Sequence, residues 1–253
     1  MTDSPTRPLP EDVFSGTARG RAGRLGVVVV HDIVTAIVTG ELPEKSMLPI
    51  EADLSVHFGV SRTVVREAMR SIEEKGLVTV VRGSGTTVRH RDSWNLLDPV
   101  VLQVMLENDA SLGVLDDLAI VRSALEGAMA AAVAGRRTLS EVDQLDQAFQ
   151  RMSETIDDID GFSDADMAFH TAVMSFSHIP LAEGITKTLY SRARESARFT
   201  RNATKAAFDA TLEEHKNILD CIREGDAAAA EAAMRHHIME SWERRRPPTS
   251  RKP

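Results

Sequence analysis

Four side chains in the C-terminal half are of types that bind divalent cations: Asp166, His170, His215 and His237. Asp166 and His170 are four residues apart, which sets them one above the other on a single helix face. His215 lies ten residues before Gly225 and His237 twelve after it. If Gly225 marks a tight turn between two antiparallel helices, these histidines stand at almost the same height. Two facing imidazoles and an Asp–His pair from a third helix form a donor set that suits Zn²⁺, Ni²⁺ or Mn²⁺. Surface or hydrogen-bonded histidines would satisfy the same spacing, and the residues alone leave both readings open. His31, His57 and His90 have no partners at ligand spacing, and His236 points about 100° away from His237 around the helix.

A second group sits near the N-terminus. Arg62, Arg66 and Arg70 recur every four residues and share one helix face. Ser61 precedes them as an N-cap, and Thr63 follows. Such a helix N-terminus can enter a major groove, donate to phosphates and read base edges. Downstream, Arg82-Gly83-Ser84-Gly85 reads as a hairpin turn that opens with a cation, a wing for the minor groove or the phosphates.

The elements that must carry these groups follow from periodicity. Leu25 to Thr39 reads as a helix ended by Gly40. A second helix opens near Pro49, in a first turn that tolerates proline. Gly59-Val60-Ser61 forms a short turn, and a third helix runs to about Lys75, stopped by Gly76. That is a helix-turn-helix, with Leu54, Val60, Val65, Ala68, Met69 and Ile72 placed to pack inward. Strands Leu77–Val81 and Thr86–Arg89 frame the hairpin. From Val100 onward there is no strand pattern; the breaks at Asp109-Ala110-Ser111, Gly135, Ile159-Asp160-Gly161, Ile179-Pro180 and Glu224-Gly225-Asp226 divide the chain into six or seven helices. The expected fold is therefore mainly α, a winged helix-turn-helix followed by an antiparallel helical bundle. Domain limits are 1–23 for a disordered lead-in, 24–91 for the winged helix, 92–98 for a linker, 99–245 for the bundle and 246–253 for a tail. The run Arg244-Arg245-Arg246 reads as part of that charged tail.

Composition agrees. The 253 residues suffice for two domains. Aromatics are only 4%, so Ala, Leu, Val and Met must fill the core, which suits helix packing. One cysteine, Cys221, excludes an intrachain disulfide and fits a reducing cytoplasm. Residues 1–92 carry 12 Lys+Arg against 12 Asp+Glu, and residues 93–253 the remaining 18 and 26, so the whole excess of −8 lies in the back part. A neutral front domain can still bind DNA if its cations share one face.

Gly40-Glu41-Leu42-Pro43, Leu48-Pro49-x-Glu51, Gly59-Val60-Ser61-Arg62-Thr63-x-Val65-Arg66-Glu67-Ala68 and Lys75-Gly76-Leu77-Val78 together resemble the winged helix of the GntR family of transcriptional regulators. The resemblance implies DNA binding through Ser61, Arg62, Thr63, Arg66, Arg70 and the wing residues Arg82, Gly83 and Gly85. Members often have arginine where this chain has Ala52, which removes one expected contact. Arg122-x3-Glu126, Asp166-x3-His170, Glu214-His215 and Met234-Arg235-x-His237-Ile238 resemble the FCD domain of FadR-type members. That resemblance implies Asp166, His170, His215 and His237 as metal ligands and Arg122 as the holder of an effector carboxylate. His178 stands where many members have Asn; helix capping is its expected role.

The expectation is a cytoplasmic, homodimeric regulator, a repressor rather than an enzyme. It would bind double-stranded operator DNA and be controlled by a small carboxylate or sugar acid at a Zn, Ni or Mn centre. The linker Trp94-Asn95-Leu96-Leu97-Asp98-Pro99 resembles that of regulators of galactonate- or gluconate-type catabolism, which points to the sugar acid. The alternatives are a metal-free regulator of this type with a larger ligand such as an acyl-CoA, and a metal enzyme fused to a DNA-binding module.

Overall fold

The computed structural model describes residues 22–81, 83–109, 113–195 and 204–246. The expected lead-in before residue 22 and the tail beyond 246 lie outside them. The chain divides into two compact units after Asp109.

In the N-terminal unit, α1 (Ala22–Val38) buries Val29, Val30, Ile33, Val34, Ala36 and Ile37. Helix α2 (Glu51–Phe58) ends at Gly59, whose φ of +62° is the left-handed conformation a helix terminus favours. Its N-cap is Ile50, so Pro49 lies ahead of the helix and not in its first turn. Helix α3 (Arg62–Glu74) is capped by Ser61, whose Oγ accepts from the Val64 N–H at 3.4 Å. Leu54, Phe58, Val60, Val65, Ala68, Met69 and Ile72 are all buried, and α3 packs on α1 and α2.

Gly76 turns the chain into β1 (Val78–Val81), antiparallel to β2 (Gly85–Val88). The hairpin is one residue tighter than expected, because Gly85 pairs with Val81 as part of β2. A bridge from Met47 to Thr87 extends the ladder on the other side of β2.

The segment expected as a linker is tied to the end of α3. The Asn95 N–H donates to the Lys75 carbonyl at 2.9 Å, and Lys75 Nζ reaches Asp98 Oδ2 at 2.7 Å. Asp98 also caps α4 (Pro99–Asn108), accepting from the Val100 and Val101 N–H groups. Helix α4 packs on α1 and buries Val101, Leu102, Val104, Met105 and Leu106, so it groups with the N-terminal unit.

Among the described residues the C-terminal unit is six helices: α5 (Gly113–Arg136), α6 (Leu139–Glu154), α7 (Ile159–Phe176), α8 (Pro180–Glu195), α9 (Lys205–Glu224) and α10 (Ala227–Arg245). Helix α6 opens with a capping box, Thr138 and Glu141 bonding each other's backbone N–H. Gly225, at φ +80°, makes the tight turn between α9 and α10. Arg137 lies over that turn and donates to the last carbonyls of two helices, Ala134 and Arg223, each at 2.9 Å. Phe162, Phe169, Leu145, Met152, Ile218 and Ala230 form the unit's apolar centre, with Phe162 and Phe208 stacked at 4.4 Å. Helix α5 is long and apolar enough to cross a membrane by composition alone. Here it packs against α7, α8, α9 and α10 and carries the buried pair Arg122 and Glu126.

Candidate functional site

Asp166 and His170 project from α7, His215 from α9 and His237 from α10. All four are buried, and one ligand atom from each lies within 4.8 Å of the others. Among the described residues this is the one such cluster. The Gly225 turn does bring His215 and His237 level, with ring centroids 4.2 Å apart.

Each imidazole is held by its outer nitrogen. His170 Nδ1 lies 2.6 Å from Glu126 Oε2, His237 Nδ1 2.8 Å from Glu214 Oε2, and His215 Nδ1 2.8 Å from the Thr211 carbonyl oxygen. Carboxylates and carbonyls accept, so every Nδ1 carries the proton and every Nε2 presents a lone pair inward. His170 Nε2 and His237 Nε2 then face each other at 3.2 Å. His215 Nε2 and Asp166 Oδ1, 3.4 Å apart, are buried without a hydrogen-bond partner among the described residues.

The protonation states fit the same picture. Burial pushes the His215 imidazole down to about 4 and His237 well below its ordinary value, so both are neutral at pH 7. Burial alone would raise the Asp166 carboxyl, but the surrounding imidazoles favour its anion and hold it at about 2. Converging lone pairs, one anionic oxygen and two orphaned buried atoms are what a divalent cation would satisfy, and the donor set suits a borderline transition metal.

Beside this centre a cavity opens between α5, α7, α8 and α10, with about 380 Å³ of empty space, its mouth included. Leu115, Leu118 and Trp242 line its apolar side; Arg122, Tyr190 and Ser241 bring polar groups. Arg122 Nε donates to Glu126 Oε1 at 2.7 Å, and its guanidinium carbon stands 4.0 Å from the centre of the Tyr190 ring. Burial opposes the Arg122 charge, but Glu126 outweighs it and the group is held above its usual range. Burial raises Glu126 as well, yet Arg122 and His170 bring it to about 2. Tyr190, pushed up to about 12 by burial and Asp166, stays a phenol and donates to Asp166 Oδ2 at 3.4 Å.

The arginine run at 244–246 is not a solvated tail. Arg244 donates to both oxygens of Glu214, at 2.6 and 2.7 Å, Arg245 lines the cavity, and Arg246 donates to Asp116 at 2.6 Å. Trp242 Nε1 bonds the other oxygen of Asp116 at 2.7 Å. Periodicity could not reveal these partners, nor Glu126, Glu214 and Tyr190 around the centre. His178 stays away from the cavity; its φ of +51° after α7 is the left-handed position that Asn and Gly favour, and its ring is exposed near Glu141.

In the N-terminal unit, Ser61, Arg62, Thr63, Arg66 and Arg70 are all exposed, on the side of α3 opposite Val65, Ala68, Met69 and Ile72. Arg66 donates to Glu51 through Nε at 3.4 Å and a terminal nitrogen at 3.0 Å, whereas Arg70 pairs with Glu74 on its own helix at 3.3 Å. Gly83 and Gly85, at φ +83° and +99°, shape the exposed hairpin tip. Arg82 lies outside the described residues.

Comparison with known proteins accords with this architecture. The family of bacterial regulatory proteins called gntR matches residues 25–88, and the FCD domain matches residues 117–240. The galactonate operon transcriptional repressor of Escherichia coli K12 is 35% identical over 216 residues, 85% of this chain and 94% of that one. The putative L-lactate dehydrogenase operon regulatory protein of the same organism is 30% identical, over 83% of this chain and 82% of its own length. A solved structure of Lar, which controls the expression of the Listeria monocytogenes agr system, covers 87% of this chain with a TM-score of 0.55 at 19% identity, a likeness of fold. These relatives are transcription regulators and not enzymes. The chain therefore belongs to the GntR family of bacterial regulatory proteins, its winged helix-turn-helix joined to an FCD domain.

Proposed function

We propose that the chain is a cytoplasmic repressor that binds its operator as a homodimer and is controlled by a small carboxylate or sugar acid. Helix α3 enters the major groove with Ser61, Arg62, Thr63, Arg66 and Arg70, and the wing with Arg82, Gly83 and Gly85 lies against the adjoining backbone. Two-fold symmetry of the protein asks for two matching half-sites. The name of the 35% identical relative supports both repression and the sugar-acid class.

In the FCD domain Asp166, His170, His215 and His237 would hold a divalent transition metal, which would supply a Lewis-acid anchor for effector oxygens. Arg122, oriented by Glu126 and by the face of Tyr190, receives the carboxylate on its remaining N–H groups. Leu115, Leu118 and Trp242 exclude water from the carbon skeleton. The space beside the centre is confined between Leu115, Leu118, Tyr190 and Trp242, which favours a small acid over an acyl-CoA.

The observation that carries this reading is the inward convergence of three Nε2 lone pairs on one buried carboxylate oxygen. Elemental analysis of untagged protein tests it, comparing wild type with His170→Ala. About one transition-metal ion per chain in the wild type and none in the variant is the expected result. No metal in either, after incubation with Zn²⁺, Ni²⁺ or Mn²⁺, would remove the metal centre and leave the DNA-binding reading in place.

A further inference from the structure

Arg66 is held differently from the other cations of its helix. Its partner Glu51 is the first residue of α2, fifteen positions away, and grips the guanidinium side-on through Nε and one terminal nitrogen. Both side chains are well exposed, 69% for Arg66 and 39% for Glu51. An exposed ion pair contributes about 0–1 kcal/mol to stability, so stability alone gives little reason for it.

The geometry has a clearer consequence for DNA. A guanidinium is planar, and a carboxylate on its Nε edge fixes that plane and leaves the edge of the two terminal nitrogens for another acceptor pair. That remaining edge matches the O6 and N7 of guanine in the major groove. The carboxylate also cancels the arginine's charge. The neutral pair therefore adds little to the phosphate attraction that binds any sequence, while an acid at the groove repels backbone that approaches in the wrong register.

We propose that Glu51 is a positioning residue that aims Arg66 at a guanine and withholds it from phosphates, giving up general affinity for discrimination at one base pair of each half-site. This rests on the reading that α3 lies in the major groove, and the test separates the two. Full-length wild type, Glu51→Gln, Glu51→Asp and Arg66→Ala are each put through selection and sequencing of a duplex library with a randomised core. Each is also titrated with a random-sequence duplex over a salt series, after a thermal melt shows that it is folded.

Glu51→Gln is expected to bind the random duplex more tightly, with a slope of log K against log salt steeper by about one unit. Its guanine preference at one position per half-site should fall about tenfold, the discrimination of one bidentate pair. Glu51→Asp, which keeps the charge but shortens the reach, should restore the salt slope and not the preference. A Glu51→Gln protein that keeps the full motif, or that loses affinity for all sequences alike, would overturn the proposal. Arg66→Ala with the full motif at wild-type affinity would instead overturn the placement of α3.

Discussion

His170, His215 and His237 each spend Nδ1 on an acceptor outside the cluster, which fixes the tautomer that Nε2 coordination needs. Glu126 and Glu214 are thus as much a part of the centre as the residues they orient. Glu126→Gln, which leaves His170 free to turn over, should weaken metal binding about 10–100-fold, read by competition with a chromogenic chelator. The buried imidazoles also set a pH dependence. An unfolded histidine titrates near 6.5 and folded His215 near 4, so between those values the unfolded chain binds more protons. Stability of metal-free protein should therefore fall as pH drops from about 6.5 to about 4. Asp166 and Glu126, both depressed to about 2, extend the loss below the ordinary carboxylate range. Thermal melts across this range check the sign, and His215→Ala should flatten the part above pH 4. On α3, Arg62→Ala should weaken operator binding by about 1–3 kcal/mol while leaving the melting temperature unchanged, measured by fluorescence anisotropy on a selected operator.

At the scale of elements, the joint between α3 and β1 depends on one glycine. Gly76 has φ +80°, and a Cβ there would fall on the Ser93 carbonyl oxygen. Gly76→Ala should therefore destabilise the N-terminal unit by more than the roughly 1 kcal/mol expected of left-handed strain alone, seen as an early transition in a urea titration. Thr138→Ala removes the capping box of α6 and should cost about 1 kcal/mol. These elements were unequally legible in the sequence. The helix-turn-helix could be read because its signals are local: Gly59, Ser61 and a periodic apolar face. Asp166 and His170 showed through their four-residue spacing, and His215 and His237 through the Gly225 turn. Glu126 and Glu214 stood in motifs of the family, but their role as Nδ1 acceptors depends on contacts 44 and 23 residues away in the chain, and the Thr211 carbonyl belongs to the backbone. The arginines at 244 and 246 looked like a solvated run because their partners, Glu214 and Asp116, are 30 and 130 residues distant. The bundle expected from residue 99 begins where α4 does, but nothing local says that the apolar face of α4 meets α1.

Across the whole molecule, the proposed metal-binding cluster and its cavity lie wholly within the C-terminal unit, so metal should stabilise that unit directly. Transition metal at a hundred times its dissociation constant should stabilise the FCD unit by about 2.7 kcal/mol. Scanning calorimetry should show a transition moving up with Zn²⁺, Ni²⁺ or Mn²⁺ in the wild type and not in His170→Ala. Within the FCD unit a single carboxylate serves two side chains at once: Glu126 offers Oε1 to Arg122 and Oε2 to His170. Drawing Arg122 toward an effector changes the charge that His170 feels, and pulling on His170 changes the grip on Arg122. Under the proposed function, metal and effector would then share one linkage free energy, which by necessity is the same in either direction. The factor by which an acid raises the metal's equilibrium affinity, read by competition with a chelator, must equal the factor by which metal tightens the acid, so either titration predicts the other.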